Sequence, residues 1–207
     1  MINIEFLATV ILVSVSGVLG PGPLFLASTL RATRIGTRSG LQCAIGHTIV
    51  EAPLVFGLSL GLSTLLSPTS VRIIAIIGGS ALLVFAASQF VQASRNIELH
   101  MNLPSFWQKQ PGVILGVIFT ALNPFFIIWW LTVGSVMISQ ALLLGAFGGV
   151  ALMFGAHIWM DFAWLGGTAA VAGRGRLLLG RWFRWVLVVF GVAMAYFGVA
   201  FLLSAVN

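Results

Sequence analysis

Two short stretches place a histidine and a carboxylate four residues apart in otherwise apolar sequence. GHTIVE contains His47 and Glu51, and GAHIWMD contains His157 and Asp161. Residues four apart lie on one face of a helix, so each pair would present an imidazole beside a carboxylate. A carboxylate can hold a cation or a proton, and histidine titrates near physiological pH. We therefore predict that all four residues serve proton coupling and that both carboxylates also bind substrate.

The sequence around these pairs is that of a membrane protein. Of its 207 residues, 59% are apolar and 7% are charged, and the mean hydropathy is +1.10, whereas a soluble domain has about 25% charged residues. A helix needs about 20 apolar residues to cross a hydrocarbon core of ~30 Å. We predict an all-α integral membrane protein with six transmembrane helices, at residues 5–30, 40–66, 71–93, 112–138, 140–172 and 184–205.

The basic residues predict the orientation of these helices. Nine of the ten lie in three connections, at residues 31–38, 95–109 and 174–184. Connections rich in Lys and Arg stay in the cytoplasm. We therefore predict that the chain crosses a cell (inner or plasma) membrane repeatedly and that both of its termini lie outside. Because orientation accounts for the net charge of +6, we predict a lipid bilayer and no nucleic acid as partner.

Proline and glycine interrupt two of the predicted helices. The first contains GPGP at residues 20–23, and the fourth contains Asn123-Pro124. Both stretches lie about 15–20 Å from the nearest basic connection, near the middle of the bilayer. Matched interruptions are typical of inverted-repeat transporters with a substrate site between the halves, and simple proline kinks are the alternative. The residues predicted to bind substrate are Pro21, Gly22, Pro23, Asn123 and Pro124, together with Glu51 and Asp161.

The spacing also predicts two repeats within a single membrane domain, residues 1–207. Residues 1–95 would form the first three-helix repeat and residues 110–207 the second, running in opposite senses because each crosses the membrane three times. Glu51 and Asp161 each lie 13 residues from a basic connection, at matching depths of about 20 Å. Charged groups at that depth usually face a cavity or one another, although pairs that merely fasten helices are the alternative.

The order of these features resembles the LysE/RhtB family of amino-acid exporters over nearly the whole chain. The matching features, in order, are PGP, Gly36, Gly40, Gly46, the acidic Glu51, Gly61-Leu62, Asn123-Pro124, Asp161-Phe162-Ala163-Trp164 and a basic connection into the last span. The resemblance implies a small inner-membrane transporter that exports amino acids, uses the ion gradient of the membrane and works as a homodimer. The ammonium of such a substrate would pair with the two carboxylates, and its carboxylate with the helix N-termini after the two breaks.

Two other functions are considered on the same residues. His47, Glu51, His157 and Asp161 are plausible ligands of a divalent transition metal, which a metal-ion exporter of the same superfamily would carry. An intramembrane enzyme is the third class, but the sequence has no HExxH, serine nucleophile elbow or phosphate-binding loop. We therefore predict no enzymatic activity and no cofactor.

Overall fold

The architecture is all-helical, as predicted. A computed structural model describes residues 4–20, 22–65, 68–94, 105–174 and 181–205, and these contain helices and short turns with no β-strand. The helices are α1 (Ile4–Val18), α2 (Pro23–Ile35), α3 (Thr37–Leu65), α4 (Pro68–Ser94), α5 (Ser105–Lys109), α6 (Gly112–Ala121), α7 (Pro124–Trp129), α8 (Ser135–Gly173) and α9 (Arg181–Ser204). A π-helical turn, Trp130–Gly134, joins α7 to α8.

Several of these helices are long and apolar enough for a membrane. Among the described residues, Thr37–Gly61 and Phe125–Gly173 could each cross a bilayer, and α1 with α2 makes a third crossing if the pair is one span bent by 72°. At 1.5 Å per residue, a straight helix over Phe125–Gly173 would be about 70 Å long, more than twice a ~30 Å hydrocarbon core. That segment must therefore fold back on itself.

The reversal lies inside α8, at Gly145 and Ala146. Both have non-helical backbone angles, and Ala146 has a φ of +49°. The rings of Trp130 and His157 are only 5.2 Å apart although 27 positions separate them, which a straight helix would place about 40 Å apart. The sequence-based boundary, between residues 138 and 140, was therefore about six residues too early.

Close approach of glycine-bearing helices holds the bundle together. The main packing pairs are α3 with α8, α3 with α6 and α4 with α9. A Cβ at Gly116 of α6 would lie 2.7 Å from the Cα of Gly46 in α3, and one at Gly198 of α9 would lie 3.0 Å from the carbonyl oxygen of Gly79 in α4. Membrane helices pack through such small residues because lipid supplies no hydrophobic force between them.

The basic connections that the structure describes meet at one end of the bundle. The Arg31 guanidinium of α2 donates a hydrogen bond to the carbonyl oxygen of Gln110, between α5 and α6. At the end of α8, a Cβ on Gly173 would lie 2.9 Å from the Cα of Gly36, between α2 and α3. The three connections that the sequence assigns to one side of the membrane are thus neighbours in the fold.

Candidate functional site

A cavity of about 230 Å³ lies among α1, α2, α3, α4, α6, α7 and α8. Its walls combine aromatic side chains, backbone of the α1–α2 break and the two His-acid pairs. A cavity with an apolar wall and a few convergent polar groups is the usual form of a small-molecule site. The lining residues with polar or charged side chains are His47, Glu51, Gln89, Thr120, Asn123, Trp129, Trp130, His157 and Asp161.

The two pairs predicted from the sequence meet in one cluster. Glu51 is the centre, with 1% of its surface exposed. Its Oε1 atom lies 3.2 Å from Nε2 of His47 on the same helix and 3.1 Å from Nε2 of His157 on α8. The Nε1–H of Trp130 donates a third hydrogen bond to the same oxygen, at 3.0 Å. Three donors on one oxygen are what an ionised carboxylate needs when buried away from water.

Asp161 completes the cluster from the other side of the imidazoles. Its Oδ1 lies 3.6 Å from Nε2 of His47, and its Oδ2 lies 3.5 Å from Nε2 of His157. Each Nε2 atom therefore sits between two carboxylates, closer to Glu51. A small displacement of either ring would move its hydrogen bond from one carboxylate to the other.

Hydroxyl groups occupy the far side of both imidazoles. Nδ1 of His47 is 2.9 Å from Oγ1 of Thr120 on α6, and Nδ1 of His157 is 2.7 Å from Oγ of Ser14 on α1. A hydroxyl can donate or accept, so the Nδ1 side of each ring keeps its hydrogen bond in either tautomer, whereas the bond between Nε2 and Glu51 requires the proton to lie on Nε2 or on the carboxyl group. The result is a continuous chain of hydrogen bonds across the bundle from α1 to α6, with Glu51 in the middle.

The π-helical turn directs two consecutive tryptophans into the protein. The Nε1–H of Trp129 donates to Oγ of Ser16 on α1 at 3.1 Å, while Trp130 reaches Glu51. Neighbouring residues of a regular helix point about 100° apart, and an extra residue per turn brings both rings inward. Glycines make the room: a Cβ at Gly17 would lie 2.9 Å from the Trp129 ring, and one at Gly134 would overlap the Trp130 ring.

The two helix interruptions face each other beside this cluster. Between Val18 and Pro23 the chain leaves the helix, and α2 starts from Gly22 without a side-chain cap. Asn123 caps α7, its Oδ1 accepting from the N–H of Phe125 at 3.0 Å, and Pro124 begins that helix. A Cβ at Gly22 would lie 3.7 Å from Nδ2 of Asn123. Gly22, Pro23 and Asn123 line the cavity, whereas Pro21 lies outside the described residues.

The charge of the cavity favours a cation. Of the described residues that line it, none is Lys or Arg, while two are carboxylates. Glu51 Oε2 and Asp161 Oδ2 are buried oxygens without a hydrogen-bond partner in the described structure. Ligand atoms of His47, Glu51 and Asp161 all lie within 4.8 Å of one another, a spacing that could also hold a metal ion. Aromatic faces around the cluster add attraction for positive charge.

Sequence reasoning identified the four titratable residues but missed their partners. Ser14 and Thr120 are hydroxyl residues in apolar helices, where such residues usually bond to their own backbone. For Trp129 and Trp130, the sequence leaves packing, interfacial and substrate-contact roles open, and their burial against α1 and Glu51 is seen only in the structure. A pair of adjacent tryptophans six residues after a mid-membrane Asn-Pro was the one signal present in the sequence.

Apolar helices that enclose a buried, acidic, histidine-bearing cavity define a membrane protein with an internal site for a small molecule. The family model of the LysE type translocator matches residues 15–205. The chain therefore belongs to the LysE type translocator family, whose members are membrane transporters and not enzymes. No curated protein and no solved structure matches the chain.

Proposed function

We propose that this protein is a secondary transporter that exports amino acids, or similar small zwitterions or cations, from the cytoplasm in exchange for protons. The observation that carries the proposal is the cluster of His47, Glu51, His157 and Asp161 inside a cavity beside two helix interruptions. Family membership supports efflux as the direction of transport.

The cluster suits the ammonium end of an amino acid. One oxygen of Glu51 and one of Asp161 lie within 4.8 Å, and an ammonium nitrogen between them would reach both with bonds of about 2.8 Å. The neighbouring rings of Trp129, Trp130 and Phe126 line the same cavity and would stabilise the charge through cation–π attraction.

The broken helices suit the carboxylate end. The first turn of α2 has no side-chain cap and borders the cavity, and a helix N-terminus attracts negative charge. The side-chain amide of Asn123 lies beside it, with Nδ2 able to donate while Oδ1 caps α7. A substrate with opposite charges at its two ends would thus find a partner for each.

Proton coupling follows from competition for the same oxygens. A proton on Asp161 or Glu51 removes the negative charge that holds an ammonium, so proton entry from outside would release the substrate. The imidazoles and their hydroxyl partners supply a route for that proton, because each ring can take up a proton on one nitrogen and release one from the other.

The remaining architectural proposals accompany this mechanism. We infer six transmembrane helices in a 3+3 inverted repeat, residues 1–95 and 110–207, with both termini outside the inner or plasma membrane. The clustering of the described basic connections at one end of the bundle supports this orientation. A homodimer is proposed from the earlier resemblance to the LysE/RhtB exporters alone.

A divalent metal ion is the second candidate substrate. It is supported by the convergence of His47, Glu51 and Asp161, which offer nitrogen and oxygen ligands within 4.8 Å. In that case Ser14 and Thr120 would accept the Nδ1–H of each ring and orient Nε2 toward the ion, as second-shell groups do in metal sites.

Transport into everted membrane vesicles distinguishes the two substrates. Vesicles that contain the protein would be energised with a proton gradient and offered labelled amino acids or Mn²⁺, Cd²⁺ and Zn²⁺. Uptake of an amino acid that collapses with a protonophore supports the first proposal. Uptake of a metal ion with none of any amino acid would replace it by the second.

A further inference from the structure

A glutamine on α4 is a buried polar group that the mechanism above does not use. Gln89 is 4% exposed, lines the same cavity as the cluster, and its Oε1 has no hydrogen-bond partner in the described structure. A buried amide oxygen without a partner is unfavourable, and such a group in a native protein calls for an explanation. A ligand that donates a hydrogen bond to Oε1 would explain why this group is buried there.

The neighbours of Gln89 place it level with the two helix interruptions. One turn before it, the ring of Phe85 lies 4.3 Å from that of Phe125 in the first turn of α7. One turn after it, Ala93 packs with Phe25 in the first turn of α2. Because positions four apart share a helix face, Gln89 lies between these two contacts, on the wall of the cavity that also holds Glu51 and Asp161.

The unsatisfied atoms of the cavity are all acceptors. They are Glu51 Oε2, Asp161 Oδ2 and Gln89 Oε1, and the described side chains that line the cavity include no buried donor without a partner. These acceptors suit a ligand that offers several N–H donors on one positively charged group. A primary ammonium has three such donors, whereas a quaternary ammonium has the charge and none.

We propose that Gln89 binds the substrate directly and, with Glu51 and Asp161, forms a three-acceptor site selective for a primary ammonium group. This inference rests on the proposed export of amino acids. It adds α4, the third span of the proposed first repeat, to the site. It also predicts discrimination against N-methylated substrates, which keep the charge but lack the donors.

The test is ligand binding by the full-length protein purified in detergent, followed by thermal stabilisation. The probes are the twenty proteinogenic L-amino acids, the N,N,N-trimethyl derivative of each one that binds, and MnCl₂ and ZnCl₂. Gln89→Leu removes the acceptor at similar size, and Gln89→Glu retains one. Gln42→Leu is the matched control, because Gln42 Oε1 is also buried without a partner but lies away from the cavity.

We expect Gln89→Leu to weaken amino-acid binding about tenfold to a hundredfold, the usual effect of losing a hydrogen bond to a charged group. Binding of the trimethyl derivative should change little, because it makes no hydrogen bond to lose. Gln42→Leu should bind as the wild type does, and Gln89→Glu should bind the amino acid at least as tightly as the wild type.

Any of the following results would overturn the inference. If Gln89→Leu binds amino acids as tightly as the wild type does, Gln89 is no ligand and the export proposal stands. If Gln89→Leu weakens the amino acid and its trimethyl derivative equally, its role is structural. If the wild type binds metal ions alone, or none of the probes, the export proposal fails together with the inference. If Gln89→Leu does not fold, Gln89→Glu takes its place, and weaker amino-acid binding by Gln89→Glu than by the wild type contradicts the inference.

Discussion

Replacing Gly134 with alanine should destabilise the protein by disturbing the tryptophan that holds Glu51. A Cβ at this position would overlap Cε3 of Trp130 and lie 2.9 Å from its Cδ2 and Cζ3 atoms. The indole is rigid and 1% exposed, so it can yield only by swinging toward the cavity. That movement breaks its hydrogen bond to Glu51.

The magnitude follows from two losses and one gain. Overpacking costs about 1–3 kcal/mol, and the hydrogen bond to a charged acceptor is worth about 1.5–3 kcal/mol. Alanine regains about 1 kcal/mol over glycine through helix propensity. The net loss is about 1.5–5 kcal/mol, which for a chain of this length lowers the apparent Tm by roughly 3–20 °C.

The assay is thermal unfolding in detergent beside a matched control in α8. A Cβ at Gly155 would meet nothing within 4 Å, so Gly155→Ala should raise the apparent Tm by about 2–3 °C. Export by Gly134→Ala should fall as well, because Glu51 loses one of its three donors. Equal Tm shifts in the two variants would refute the reasoning.

A double-mutant cycle isolates the contact itself. Trp130→Phe removes the fused benzo ring that the new methyl group would strike, so Gly134→Ala should cost less in that background than in the wild type. Coupling of about 0.5–3 kcal/mol is the usual range for touching residues. Strict additivity would mean that Gly134 matters for another reason, such as the shape of the π-helical turn.

Three further predictions concern the proposed transport. Glu51→Gln and Asp161→Asn should each abolish proton-driven export, while substrate exchange by Asp161→Asn persists; normal export by both variants across a range of external pH would make the carboxylates structural. Asn123→Leu should lower export and cost about 0.5–2 kcal/mol through the lost cap of α7, yet leave folded protein in the membrane, and unchanged export would exclude the amide from the site. With the native cysteine removed, a cysteine at Ser67 or at either terminus should react with an impermeant reagent from outside and one at Thr37 should not, the reverse pattern contradicting the orientation.

The central chemistry could be predicted because it depends on local spacing. A histidine and a carboxylate four positions apart share a helix face wherever the helix lies, and burial of charge in apolar sequence points to a cavity or a partner. The structure places His47 and Glu51 opposite His157 and Asp161, with the two pairs within hydrogen-bond reach through Glu51. Their roles in transport remain predictions.

Features that depend on tertiary contacts could not be read in the same way. The reversal at Gly145 and Ala146 carries no proline or charge, and the three glycines of the apolar run LLLGAFGGV do not fix the residue at which the helix ends. Gln89 lies near the end of its predicted span, where a polar side chain normally meets water or lipid headgroups. Only the packing of α4 against the starts of α2 and α7 turns it toward the cavity.

The arrangement of donors around Glu51 explains why one cluster could serve both substrate and proton. Oε1 is fully occupied by His47, His157 and Trp130, so this oxygen holds the helices in place whatever the cavity contains. Oε2 of Glu51 and Oδ2 of Asp161 have no hydrogen-bond partner in the described structure, and the oxygens of Asp161 lie 3.5–3.6 Å from the Nε2 atoms of the imidazoles. In the proposed mechanism, the cation and the proton compete for these oxygens, and neither has to displace the groups that contact Oε1.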